Sequence, residues 1–88
     1  MLNNPEICIG EWSAYLSVQC DVKCITFCHG YKKIAVCSLF EIMDDAYTAY
    51  TVCNTDQVIK DRDGTEHTIP ARVMRIIVQF IKEFSNDI

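Results

Sequence analysis

The strongest constraint on this chain lies at residues 16–24, where Leu16, Val18, Cys20, Val22 and Cys24 alternate with Ser17, Gln19, Asp21 and Lys23. Successive side chains of a strand point to opposite faces, so a period of two gathers the apolar set on one side. A helix would scatter the same polar groups around its whole circumference. Residues 16–28 therefore read as one half-buried strand, for which the rest of the chain must supply a cover.

His29-Gly30-Tyr31-Lys32-Lys33 follows as a turn, and residues 34–42 form a second strand candidate. A three-residue loop at Gly30–Lys32 sets His29 opposite Lys33, Cys28 opposite Ile34, Thr26 opposite Val36, Cys24 opposite Ser38 and Val22 opposite Phe40. That register collects the even-numbered apolar side chains on one face, whereas a two-residue loop pairs Asp21 with Phe40 and costs burial. The opposite face then retains Ile25, Phe27, Ala35, Cys37 and Leu39, a second apolar patch turned away from the expected helix.

Asp44-Asp45 mark another turn, and Ala46 to Asn54 has the Tyr, Thr and Val content of a third strand. Gln57 to Arg62 and Thr65 to Ile69 flank Asp63-Gly64, a strong hairpin signal because both residues tolerate positive φ. From Pro70 the period changes. Val73, Ile76, Ile77, Phe80, Ile81 and Phe84 form one helical stripe. Thr68 is the expected N-cap, Pro70 suits the first turn, and the even face of the sheet is the expected site of packing. Residues 5–12 suit either a short helix capped by Asn4 or an added edge strand. The expected fold is α+β: an antiparallel meander of four to five strands across 14–69, with one C-terminal amphipathic helix over 70–85 packed on one face. The 1–88 chain is one domain, and its 1–12 segment is open in structure.

Composition supports this reading. Half of the 88 residues are apolar, with three Gly and two Pro, which excludes disordered and low-complexity classes. Eight basic against twelve acidic side chains leave a net charge of −4, which disfavours a general nucleic-acid or anionic-membrane binder. No apolar run approaches the ~20 residues of a membrane span, and the N-terminus has no basic, apolar leader pattern. The six cysteines are thus expected as thiols in a cytoplasmic setting, that of the host cell if the protein is viral.

Chemistry is sparse. Cys24-x3-Cys28-His29 with Cys37 suggests zinc, yet residues four apart on a strand lie about 13 Å apart, too far to share an ion. Cys20, Cys24 and Cys28 on one strand cannot pair with one another. No nucleophile elbow, phosphate loop or metalloprotease motif is present. Neither metal nor cofactor nor catalysis is expected.

By elimination the expected function is binding another protein. The patch of Ile25, Phe27, Ala35, Cys37 and Leu39, extended by Tyr47 or Tyr50, is the first candidate surface. An edge strand offering backbone pairs is the second. Asp56, Asp61, Asp63 and Glu66 form an acidic cluster that could imitate phosphates at a partner's nucleic-acid site. In category the chain falls with small inhibitors and adaptors, including phage or mobile-element proteins of the anti-CRISPR kind that block host defence complexes. The alternatives are a homodimer built on the second face, and a weak nucleic-acid binder using Lys32, Lys33, Arg72 and Arg75.

Overall fold

Four antiparallel strands in the order β1-β2-β3-β4 form the main sheet of this computed structural model, which describes residues 4–43 and 52–88. They are β1 (Glu6–Ile9), β2 (Trp12–Gln19), β3 (Val22–His29) and β4 (Lys32–Ser38). A short helix, α1 (Leu39–Met43), follows. The hairpin of β5 (Gln57–Lys60) and β6 (Glu66–Ile69) makes a separate two-stranded sheet, and α2 (Ala71–Phe84) ends in a 3-10 turn over Ser85–Asp87. The architecture is α+β with a C-terminal helix. Of the two readings of residues 5–12, the edge strand is observed. The strand expected over 46–54 is not seen in its described part, where residues 52–54 are helical; the remainder lies outside the described residues.

Residues 16–28 are two strands rather than one. Cys20 (φ 53) and Asp21 (φ 64) are both left-handed and close a two-residue hairpin in which Gln19 opposes Val22. Paired positive φ values suit the twist of a hairpin. The turn also inverts parity. Leu16 faces Ile25 and Ala14 faces Phe27, so the buried side of β2 is even-numbered while that of β3 is odd-numbered. The alternation is real, but its apolar members divide between opposite faces of the sheet.

The β3–β4 register combines both loop lengths. Cys24 opposes Ser38, Thr26 opposes Val36 and Phe27 opposes Ala35, while nearer the turn Cys28 opposes Lys33 and His29 opposes Lys32. The expected pairs Cys28–Ile34 and His29–Lys33 are replaced. A β-bulge absorbs one extra residue, Ile34, whose side chain is buried in the core.

α2 packs on the face formed by Trp12, Ala14, Leu16, Ile25 and Phe27, together with Ile42 and Ile69. Its buried residues are Val73, Met74, Ile77, Val78, Phe80 and Ile81. The stripe is rotated from the expected one. Met74 and Val78 turn inward, while Ile76 and Phe84 remain exposed. Thr68 pairs with Val58 inside the hairpin instead of capping the helix, and the Ala71 amide donates to Asp56 Oδ1 at 2.8 Å. At the far end Lys23 Nζ donates to the Ser85 carbonyl at 2.8 Å, where a cation suits the negative end of the helix. On the other sheet face Thr26 lies between Tyr15 and Val36, fully buried, with its hydroxyl unpaired among the described residues.

Candidate functional site

β1 ends the sheet. The Leu16 amide donates to the Pro5 carbonyl at 2.9 Å, which sets the phase of the ladder. Antiparallel bonding alternates, so Ile7 and Ile9 turn their backbone groups toward β2, and those of Glu6 and Cys8 point away from the sheet. Among the described residues no strand pairs on that side.

Beside this edge runs a shallow groove of ≈ 380 Å³ lined by Ile7, Arg72, Arg75, Ile76, Phe80 and the Gln79–Glu83 flank of α2. Ile7 points to the helix side because it opposes Ala14, a core residue. Ile76 is 43% exposed although the sequence places it on the apolar stripe. The helix thus extends past the last strand, leaving a partly apolar floor under a free backbone edge. Arg72 and Arg75 are exposed on the same flank, and Arg75 also donates to the Cys53 carbonyl at 3.1 Å. The other edge is less suited to pairing, because β4 carries the bulge at Ile34 and two lysines at its start.

A polar cluster occupies the end of the sheet where three turns meet. The Trp12 and His29 rings are stacked with centroids 3.9 Å apart. His29 Nδ1 lies 2.9 Å from His67 Nδ1, and His67 Nε2 lies 2.7 Å from Asp61 Oδ2. Asp61 Oδ1 accepts the amides of Asp63 and Thr65, which wraps the β5–β6 loop around a buried carboxylate. Lys32 reaches Asp61 Oδ2 at 3.0 Å and Asp63 Oδ2 at 2.6 Å. The His67 hydrogen bond, then Lys32, hold the Asp61 carboxyl well below its ordinary range. Asp63 and then Asp61 raise the Lys32 ammonium above its own.

The sequence-expected sites are redistributed. Ile25 and Phe27 are core residues, and Ala35, Cys37 and Leu39 are partly buried against them, so the supposed outer patch is the face that α2 covers. Reversed parity across the Cys20-Asp21 turn is the physical reason. Burial, with smaller effects from Glu41 and Cys24, pushes the Cys37 thiol up. Tyr47 and Tyr50 lie outside the described residues.

The acidic cluster is not an open anionic surface either. Asp56 caps α2, Asp61 and Asp63 are bonded to Lys32, and only Glu66, opposite Lys60, is an ordinary exposed carboxylate. The same pairing takes Lys32 from the basic cluster that a nucleic acid would need, leaving Lys33 alone beside it.

All six cysteines are free thiols, and no group of three metal-ligating side chains occurs among the described residues. No described helix is long and apolar enough to cross a membrane. The histidine pair and the β1 groove escaped the sequence reading. His29 and His67 are 38 residues apart and each adjoins an ordinary turn, while the groove depends on how far α2 overhangs the sheet. Comparison of the chain with family models, curated proteins and solved structures finds no match in any of the three.

Proposed function

We propose that this chain is a non-catalytic protein-binding module that takes an extended acidic segment of a partner as a fifth strand along β1. The observation that carries the reading is Ile76, an apolar-stripe residue left exposed beside Ile7, next to a backbone edge that no other described strand pairs. A strand added there would bond to the outward groups of Glu6 and Cys8 and lay alternate side chains on Ile7 and Ile76. Arg72 and Arg75 line the same groove as Ile76, so they favour a carboxylate at a groove-facing position next to the apolar ones. Such a module acts by occupying a partner's segment, as small inhibitors and adaptors do.

The test uses a fluorescein-labelled octapeptide with Val and Glu in turn at its alternate, groove-facing positions and Thr between them. Its controls are a Lys-for-Glu peptide and a copy N-methylated on alternate amides. Binding should favour the Glu peptide, and Ile76→Lys or Arg72→Glu should weaken it about tenfold or more, ~1.4 kcal/mol, with unchanged circular dichroism. Equal binding of all three peptides would exclude strand addition. A dimeric mass that collapses on Ile7→Lys would assign the edge to a second copy of the chain instead.

A further inference from the structure

The four ring nitrogens of His29 and His67 each have a defined neighbour. His67 Nε2 faces Asp61 Oδ2 at 2.7 Å, His29 Nε2 faces Glu11 Oε1 at 3.3 Å, and the two Nδ1 atoms face each other at 2.9 Å. Asp61 takes two backbone amides and the Lys32 ammonium besides, so it stays a carboxylate and His67 Nε2 must carry the hydrogen. His67 Nδ1 is then an acceptor, and His29 Nδ1–H donates to it. One further proton fits on His29 Nε2, where it gains Glu11. A second could enter only at His67 Nδ1, where two N–H groups and two cations would confront each other across 2.9 Å.

The hairpin that carries His67 forms its own two-stranded sheet. Among the described residues no ladder joins it to the main sheet, although β5 lies beside β4; of its strand residues Ile69 is buried in the core and Ile59 packs partly against it. Its tip is held to the sheet by His67–His29 and by Lys32 with Asp61 and Asp63. The charged and titratable groups facing the dyad among the described residues are therefore Glu11 from the β1–β2 turn, Lys32 from β4, and Asp61 and Asp63 from the hairpin loop.

We propose that the His29–His67 pair makes docking of the β5–β6 hairpin proton-linked: the docked pair holds at most one excess proton, the separated rings take one each, and acidification releases the hairpin. The separated state binds more protons, so lowering the pH favours it, with docking weakened about tenfold per pH unit once free histidines are charged.

The experiment is amide hydrogen exchange on the reduced full chain from pH 8 to 5, corrected for intrinsic rates, alongside ring-nitrogen NMR of both histidines. Protection across β5 and β6 should fall as the pH drops from 8 to 5, approaching about tenfold per unit, while β2 and β3 stay protected. His29→Phe keeps an aromatic ring against Trp12 and gives His67 room for its second proton, so the dependence should vanish. His67→Gln, which can still donate to Asp61, serves the same purpose should His29→Phe fail to fold. Hairpin protection independent of pH in the wild type would overturn the proposal, as would an undiminished dependence in the folded variant. Release on protonation of Asp61 itself would appear only in the lower, carboxylate range and is thereby distinguished.

Discussion

The carboxylate of Asp56 accepts the backbone amide of Ala71 at 2.8 Å, so the first turn of α2 is capped from across the β5–β6 hairpin rather than from its own approach. Pro70 occupies the N-cap position and has no side-chain acceptor to offer. Asp56 satisfies one of the helix's first amides and sets a negative charge at its positive end. Asp56→Ala should lower unfolding stability by about 0.5–2 kcal/mol, the ordinary cost of a lost cap. Thr68→Ala should cost clearly less in the same urea titration, because Thr68 is an exposed strand residue.

Asp61 ties the hairpin loop together and is held below its ordinary range by His67 and Lys32. A depressed carboxyl stabilises the fold above its unfolded pKa of about 3.9, and this contribution is lost as the pH falls toward the folded value. The wild type should therefore weaken progressively below about pH 4. Asp61→Asn should be less stable at pH 6 and show a flatter acid limb. Urea midpoints measured at pH 6, 4 and 3 for both proteins would check this; parallel curves would remove Asp61 as the source.

Phe27 opposes Ala14 within the core and is 3% exposed. Phe27→Ala should therefore destabilise the whole domain by about 3–5 kcal/mol through lost burial and a residual cavity. On a chain of this size such a loss approaches the entire margin of folding. The chevron or equilibrium midpoint should move sharply. A docking-surface role would instead leave stability intact.

Cys20 and Asp21 hold positive φ without the freedom of glycine. Left-handed geometry costs a non-glycine residue roughly 1–2 kcal/mol, part of which glycine returns as unfolded-state entropy. Cys20→Gly should accordingly stabilise the β2–β3 hairpin by about 0.5–1 kcal/mol, read as a higher thermal midpoint under reducing conditions. A lower midpoint would show that the Cys20 side chain contributes more than its backbone strain removes.

By itself the sequence determined the class of structure. Alternation over 16–24, the β-rich stretches that follow and the 3.6-residue stripe after Pro70 sufficed for an antiparallel sheet under a C-terminal helix, because period two and period 3.6 are local consequences of backbone geometry. Even the pairing of Thr26 with Val36 and Cys24 with Ser38 was legible, since that register sorts the apolar side chains of two adjacent strands by face. What tertiary structure decided was which face is inside. The left-handed pair Cys20-Asp21 and the bulge at Ile34 each shift parity by a residue, and neither carries the Gly or Asn-Gly signal that announces such a change. That shift turned Ile25 and Phe27 from an apparent docking patch into the core. The β1 groove and the His29–His67 contact arose the same way, from helix overhang and from turns that meet only when the chain has folded. Local periodicity records the geometry of each element; it holds no measure of the distances between elements remote in the chain.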